Sequence, residues 1–309
     1  MEKYDVIIIG AGPAGLTAGL YAARAGLKTA IMEKGQLGGQ ISLTLEVDNY
    51  PGVLEAQGPS LTMDMLSQAE KFGAVMISDE ILEIKDEGKV KIVKSKDNIY
   101  ETKTIIFATG AASRRLNILG EEEFVGRGVG YCATCDGAFY TGSDVYVVGG
   151  GDAAVEEAIF LTRFAKKVII LYRGSELKAA KSIQKHAMEN PKIEIRYNKE
   201  VIEVKGSTFL DNIVVKDNQT NEVEELTNLP GDPGIGLFIF IGYIPNTKLV
   251  EGLLELDRGY VKAGEDTLTN VPGVFVAGDV RTKTVRQIVT ATSDGAVAAM
   301  AAEKYITSL

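Results

Sequence analysis

Two side chains in this sequence can store and release electrons without help: Cys132 and Cys135, set as Cys132-Ala133-Thr134-Cys135 and followed directly by Asp136. A CxxC spacing lets two thiols close and reopen a disulfide within one turn of chain. These are the only cysteines, so a zinc site with four thiolate ligands is excluded. His186 is the only histidine, so a site with several imidazole ligands is excluded too, and a Ser-His-Asp triad would have to use it. In a reducing compartment an isolated CxxC reads as redox-active rather than structural. Such a pair needs an electron source.

The glycine pattern supplies a candidate source. Asp5-Val6-Ile7-Ile8-Ile9 reads as a buried parallel strand, and Gly10, Gly12 and Gly15 follow at GxGxxG spacing. Leu16 to Ala25 reads as a helix ended by Gly26, and Thr29-Ala30-Ile31-Met32 as the next strand, with Glu33 at its tip. In such a unit the first glycine allows the tight turn, the second lets backbone approach a pyrophosphate at the helix N-terminus, and the third lets helix and strand close up. An acid about 20 residues on accepts the ribose hydroxyls. Glu33 stands at that distance from the turn. The pattern recurs after Val145-Tyr146-Val147-Val148, where Gly149, Gly151 and Ala154 form GxGxxA with Asp152 and Ala153 between. The two units align without a gap. Asp5 falls on Asp144, Gly12 on Gly151, Leu20 on Ile159, Ile31 on Ile170, Glu33 on Tyr172 and Lys34 on Arg173. The second unit therefore lacks the acid that would repel a 2′-phosphate. It offers Arg173 there, with Lys178 and Lys181 beyond, which is the arrangement that accommodates NADP.

The rest of the chain must position these groups. Its 309 residues suggest two domains of roughly 100–200 residues each. A composition of 45% hydrophobic and 24% charged residues is that of an ordinary globular protein. The net charge of −9 argues against nucleic acid or an anionic membrane as main partner. No apolar run approaches the roughly 20 residues of a membrane span. Met1-Glu2-Lys3-Tyr4 runs straight into a strand-like stretch, so no signal peptide is expected and a cytoplasmic enzyme is. Gly38-Gly39-Gln40 and Asn49-Tyr50-Pro51-Gly52 read as loops, 60–73 as a helix, and 75–107 as short strands leading to Thr109-Gly110. Thr109 and Gly110, at the tip of that run, join the candidate cofactor positions. Ser113 to Gly126 reads as a polar linker, Glu121-Glu122-Glu123 as a solvated face and His186 as a surface helix residue. A Gly/Pro cluster, Gly231-Asp232-Pro233-Gly234-Ile235-Gly236, precedes a strand at Leu237 to Ile241. Val274-Phe275-Val276-Ala277 is a further buried strand, ending in Gly278-Asp279. The apolar tail is too short for a domain of its own. The expected organisation is thus α/β, with two Rossmann-like three-layer domains. Residues 1–112 and 243–309 form the first, and residues 113–242, carrying the CxxC pair, are inserted into it.

Together these residues resemble the low-molecular-weight thioredoxin reductases, a branch of the two-domain flavoprotein disulfide reductases. The resemblance spans the chain: Gly10-Ala11-Gly12-Pro13-Ala14-Gly15, Gly38-Gly39-Gln40, Cys132-Ala133-Thr134-Cys135-Asp136-Gly137, Gly149 to Ala158, Gly242-Tyr243-Ile244-Pro245-Asn246-Thr247, Gly278-Asp279-Val280, Arg286-Gln287 and Asp294-Gly295. The CxxC placement just before the second glycine turn is its most specific feature. The resemblance implies FAD in the first domain, held through Gly12, Pro13, Ala14, Glu33, Gly39, Gln40, Asn49, Ile81, Gly278, Asp279, Arg286, Gln287 and Ile288. It implies NADPH in the second, and a homodimer. Where the family carries His-Arg-Arg and a further Arg for the 2′-phosphate, this sequence reads Tyr172-Arg173-Gly174 with Lys178 downstream. NADPH, NADH and a different donor such as ferredoxin therefore stay open.

The resemblance further implies that electrons pass from the nicotinamide through FAD to the Cys132–Cys135 disulfide, and on to thioredoxin or a thioredoxin-like protein. Cys135 would face the flavin, Cys132 would attack the substrate disulfide and Asp136 would supply the proton. Both the pair and the nicotinamide belong to the inserted domain and must reach one flavin, so a rotation at the linkers near 113–126 and 231–243 is expected. A flavin dithiol oxidase and a flavoprotein redox sensor are the competing readings.

Overall fold

The computed structural model describes residues 1–43, 47, 49–54, 56–227 and 234–309. They divide into two compact units, Met1–Ala112 with Ile244–Leu309, and Ser113–Tyr243.

In the first unit β1 (Glu2–Ile9) lies between β2 (Thr29–Glu33) and β6 (Ile99–Phe107), parallel to both. β3 (Val75–Ser78) extends the parallel side beyond β2. β4 (Ile81–Glu87) and β5 (Val90–Ser95) form an antiparallel hairpin on the first half of β6, and β19 (Val274–Val276) pairs with its second half. The continuous apolar run of β1 is what a strand covered on both faces requires. Val6 and Ile8 face α1 (Pro13–Arg24), α2 (Gly58–Lys71) and α6 (Ile288–Thr307), while Ile7 and Ile9 pack with Val93, Tyr100, Val250 and Val261 on the other side. α1 begins at Pro13, three residues before the expected Leu16. A proline in the first turn gives up only an N–H that would have no helical partner. α2 likewise begins and ends two residues earlier than 60–73, with Pro59 in its first turn. At Gly295 an added Cβ would stand 2.2 Å from the Ala14 oxygen, so α6 crosses α1 with backbone against backbone.

The second unit repeats the design. β9 (Asp144–Val148) has β10 (Lys167–Tyr172) and then β11 (Ile193–Tyr197) on one side, and β15 (Ile235–Ile239) and then β8 (Val129–Gly130) on the other, all parallel. α4 (Asp152–Leu161) and α5 (Lys181–Met188) cover one face, and α3 (Ala133–Asp136) packs beside α4. An antiparallel sheet of β12 (Lys199–Gly206), β13 (Leu210–Asp217) and β14 (Val223–Thr227) covers the other. The expected strand at Leu237 starts earlier, at Ile235. Gly236 sits inside β15, where the Tyr140 ring lies 2.7 Å from the place a Cβ would occupy, so glycine there admits an aromatic rather than ending the strand. Of the Gly/Pro cluster, Gly231–Pro233 lie outside the described residues. β7 (Ala111–Ser113) pairs with β16 (Tyr243–Pro245). In the tail β17 (Leu256–Asp257) and β18 (Tyr260–Val261) form a short hairpin. No helix among the described residues is long and apolar enough to cross a membrane. His186 is exposed in the last turn of α5, as expected.

Glu121 overturns the expectation of a solvated face. It is 2% exposed, and its carboxylate accepts the backbone N–H groups of Leu116 (3.0 Å) and Asn117 (2.6 Å) and the hydroxyl of Tyr131 (2.6 Å). Glu122 and Glu123 are exposed. The stretch expected to be a polar linker is therefore knitted into the second unit through one buried carboxylate. Glu121→Ala would leave those donors buried without an acceptor. The expected outcome is a loss of about 3 kcal/mol, read as a lower urea midpoint.

Candidate functional site

The two glycine turns are built alike. The first follows β1: the Gly10 N–H reaches Met32 O (2.8 Å), and Gly10 has φ +110°. A Cβ at Gly15 would fall 1.8 Å from the Gly10 oxygen, which fixes helix against turn. Gly12 differs in kind. It is the N-cap of α1, Pro13 and Ala14 follow as the first helical residues, and the nearest atom to a Cβ there is Gly38 O at 3.9 Å. Gly39 is similarly open, meeting only Gly12 Cα at 3.8 Å. These two glycines leave space where a phosphate needs backbone N–H groups. Gln40 follows Gly39 in the short turn Gly39–Leu43, exposed. Glu33 closes the turn from below, its Oε2 accepting the Ala11 N–H (3.0 Å) and its Oε1 that of Gly35 (2.8 Å). Ile81 opens β4 two residues after Asp79, whose N–H reaches Glu33 O (3.1 Å).

The tail closes over this turn. Gly278 begins a short turn after β19, where its Cβ would meet that of Ala14 at 2.9 Å. Asp279, next in line, is half-buried, and among the described residues its buried Oδ1 has no hydrogen-bond partner. Burial pushes its carboxyl above the usual range, against the pull of Lys283 and Arg286. An orphaned buried oxygen beside an open phosphate cradle is what a dinucleotide carrying ribityl or ribose hydroxyls would satisfy, so the residues present fit FAD. Gln287 is the N-cap of α6, with Ile288 its first helical residue. Its Oε1 accepts from Asn49 Nδ2 (3.2 Å). The Arg286 guanidinium lies 4.4 Å from the Tyr260 ring centre. Thr109 and Gly110, beyond β6, are tied to Asn246: Thr109 Oγ1 donates to Asn246 O (2.8 Å), Asn246 Nδ2 donates to Thr109 O (2.8 Å), and the Asn246 N–H reaches Gly110 O (3.0 Å).

Beyond the Asp294-Gly295 pair, no local sequence pattern marks Asp294 as part of this site. It is 3% exposed, accepts Arg281 Nε and Nη2 (both 2.8 Å) and Lys283 Nζ (2.8 Å), and receives the Gly278 N–H (2.9 Å). Burial pushes its carboxyl up, but the Arg281 and Lys283 bonds outweigh that and hold it below the usual range. It anchors the turn that presents Asp279. Its partners lie 11 to 16 residues away, too far for any local pattern.

In the second unit Gly149 has φ +148° and its Cβ would meet Phe240 O at 2.4 Å. Gly151, the N-cap of α4, has nothing within 4 Å of its Cβ position and matches Gly12. Asp152 and Ala153 open α4, and the Ala154 Cβ packs 2.6 Å from the Cβ position of Gly149. Asp152 Oδ1 accepts the Ala180 N–H (2.7 Å). Arg173 and Lys178 are exposed at the rim of this turn, with no ion pair among the described residues.

Cys132 and Cys135 are joined as a disulfide with Cα atoms 5.3 Å apart. Cys132 is the N-cap of α3, and its Sγ accepts the Cys135 N–H (3.2 Å). Asp136 ends that helical turn. Its Oδ2 is 3.2 Å from the Cβ position of Gly130 in β8, where the Phe238 ring also approaches to 3.0 Å. Burial raises the Asp136 carboxyl from 3.8 to about 6. The same burial, with the charge of Asp136, raises the Tyr140 phenol to about 12. The disulfide is thus followed in the chain by a carboxyl that burial brings toward neutral pH, where it can give or take a proton. No group of three or more metal-ligating side chains occurs among the described residues.

Comparison with known proteins bears on the whole chain. The pyridine nucleotide-disulphide oxidoreductase family matches residues 4–295. A thioredoxin reductase of Peptoclostridium litorale is 50% identical over 308 residues, covering 99% of this chain and 98% of its own length. One from Bacillus subtilis is 43% identical over 308 residues, covering 99% and 96%. The crystal structure of a thioredoxin reductase from Streptococcus pyogenes superposes with a TM-score of 0.93 at 43% identity, covering 99% of both chains.

Proposed function

The chain belongs to the pyridine nucleotide-disulphide oxidoreductases and, among them, to the thioredoxin reductases, and from that premise we propose that it is an FAD-dependent thioredoxin-disulfide reductase. The observation that carries this reading is the Cys132–Cys135 disulfide, seated at the start of α3 in the unit that holds the second glycine turn, with half-buried Asp136 beside it. FAD belongs to the first unit, at Gly12, Gly39, Glu33 and Asp279, and a nicotinamide dinucleotide to the second, at Gly151. When bound, FAD supplies the two-electron step between nicotinamide and disulfide. The protein's own part is thiol chemistry. Reduction of the disulfide yields two thiols. Cys132, as thiolate, attacks the substrate disulfide, forming a mixed disulfide and releasing one substrate thiolate. Asp136 delivers the proton that thiolate takes up. Cys135 then attacks the Cys132 sulfur, releasing the second substrate thiolate and restoring the Cys132–Cys135 bond. The oxidase and sensor readings are not favoured by relatives that match over nearly the whole chain.

An anaerobic titration of the flavin-loaded protein tests the reading. NADPH or NADH should bleach the flavin stoichiometrically, and Cys135→Ser should abolish thioredoxin reduction while FAD is retained. A flavin bleached only by dithionite would sink the nicotinamide assignment.

Asp136 gives a pH test. A carboxyl at about 6 is protonated below that value and ionised above it, so its proton-donating form is lost as pH rises through about 6. Asp136→Asn should slow thioredoxin reduction at neutral pH roughly 100-fold and remove the limb near pH 6 from the rate profile. An unchanged profile would assign the proton to another group. Stability carries the same sign. The folded carboxyl holds its proton between 3.8 and about 6, where the unfolded one has lost it. The oxidised protein therefore gains stability as pH falls through that interval, and the variant does not.

The homodimer is also part of this proposal. The outer face of α6 exposes Val289, Val297 and Met300 with Leu268 nearby, and a groove of about 530 Å³ runs between Leu268 and Met300, flanked by Asp266 and Lys304. An apolar face carrying both signs of charge at its rim can meet its own copy about a two-fold axis. Sedimentation should show a dimer, and Met300→Glu should shift it toward monomer. A wild-type monomer at micromolar concentration would refute this. A cytoplasmic location completes the proposal, as the compartment where a CxxC pair is kept cycling; fractionation of cells into cytoplasm and envelope tests it.

A further inference from the structure

Two glycines of the second unit lie inside strands, where a side chain would be expected. Gly130 ends β8, and Gly236 is second in β15. Neither has a positive φ, so both are glycine for space rather than for backbone conformation. A Cβ at Gly130 would stand 3.0 Å from Cε1 of Phe238 and 3.2 Å from Oδ2 of Asp136. A Cβ at Gly236 would stand 2.7 Å from Cδ1 and Cε1 of Tyr140. The strand register pairs Gly130 with Phe238, so the Phe238 ring and the Asp136 carboxyl share the space that a side chain at Gly130 would fill. Tyr140 stands edge-on to Phe238 with ring centroids 5.3 Å apart, and Phe238 stacks on Phe240 at 6.3 Å. Phe238 is fully buried. Asp136 thus faces aromatic carbon for which two glycines make room.

Among the described residues no charge offsets this wall. β8 and β15 carry no titratable side chain. The turn Gly137–Tyr140 after α3 brings only the Tyr140 phenol, itself raised to about 12 and so neutral. Cys132 and Cys135 are joined to each other. On α4, Asp152 is engaged by the Ala180 N–H, Glu156 is exposed, and Glu157 is raised by burial and by Glu156. Tyr131 is bonded to Glu121, and Arg163 beyond α4 lies over the Phe160 ring. Burial alone accounts for the raised Asp136 carboxyl. A carboxylate that loses water to ring carbon gains nothing in return, which favours its protonated form.

We propose that Phe238 and Tyr140 are positioning residues for Asp136: their rings, admitted by Gly130 and Gly236, keep water from its carboxyl and so keep it a proton donor for the redox pair. The inference rests on the reading that Asp136 supplies the proton in thioredoxin reduction. The step itself is unchanged. The carboxyl O–H breaks, the released substrate thiolate takes the proton, and the carboxylate regains one from solvent.

Infrared difference spectra of the oxidised, FAD-loaded protein against pH, with Asp136→Asn as the blank, read this carboxyl without turnover. In the wild type it should titrate at about 6. Tyr140→Ser opens the wall to water and should raise its acid dissociation constant about ten-fold. The limb in the rate profile of thioredoxin reduction should move down with it by about one pH unit, the rate on the acid side being kept. A merely structural loss would lower the rate at every pH. Tyr140→Phe keeps the ring and should keep both values. Should Tyr140→Ser fail to fold, Tyr140→Gln brings a hydrogen-bonding amide to the same wall and should shift both in the same direction. If Asp136→Asn removes the limb but neither polar substitution at Tyr140 moves the carboxyl, the proposal is overturned and the donor reading stands. If Asp136→Asn leaves the limb in place, the donor reading fails and the proposal with it.

Discussion

Backbone must touch backbone at the head of each nucleotide unit, and the rest of the molecule is arranged around that contact. At Gly15 there is no room for even a methyl group, because the Gly10 oxygen occupies its place, and at Gly149 the Phe240 oxygen does the same. At Gly15 this closeness pins the helix start to the strand end, and at Gly149 it pins the end of β9 to the end of β15. The next glycine, Gly12 or Gly151, is then held at the helix N-terminus with open space before it. The cores on both sheet faces make the contact rigid, and the crossing of α6 on α1 at Gly295 repeats the device. A phosphate-sized opening framed by immobile N–H groups follows from packing. It needs no charged side chain of its own.

What could be read from the sequence is what that contact makes local. Strand, turn, helix and strand follow one another within about thirty residues, and each leaves its mark in glycine spacing and in unbroken apolar runs. The redox pair and its acid are adjacent in the chain and equally plain. Other residues were invisible because their partners are distant. Nothing near Asp294 in sequence announces that Arg281 and Lys283 will meet it in the core, or that it will receive the Gly278 N–H. Asn246 ties down Thr109 and Gly110 from 137 residues away. Glu121 reads as solvated because three acids in a row look like an exposed face. Only the fold turns the first of them inward, to a set of N–H groups that no hydrophobic pattern displays.

The duplicated units also show how a shared frame acquires two jobs. In the first, the tip of the second strand carries a carboxylate already bound to two N–H groups. In the second, the same place carries a ring that needs two glycines to fit. A carboxylate and a phenol of similar reach thus demand different neighbours, one a donor pair and the other empty volume. A residue beyond a strand tip is chosen with its surroundings.

Burial separates the two sites further. The first collects its polar groups in the interior: Asp279 with an unmet oxygen, and Arg281, Lys283 and Asp294 locked together beneath it. Asp279 Oδ1 has lost its water without gaining a partner, and a ligand that met it would leave only by orphaning it again, at a cost of about 1–3 kcal/mol. That is the physics of a resident group. The second site presents its cations at the rim, where water and salt already weaken them. Contacts of that kind form and break quickly, which suits the exchangeable donor proposed for this site. On the proposed reading of FAD in the first unit and a nicotinamide dinucleotide in the second, one frame meets its ligand with a desolvated oxygen and the other with solvated charge. The difference lies in where the side chains sit, since the glycine turns themselves are nearly the same.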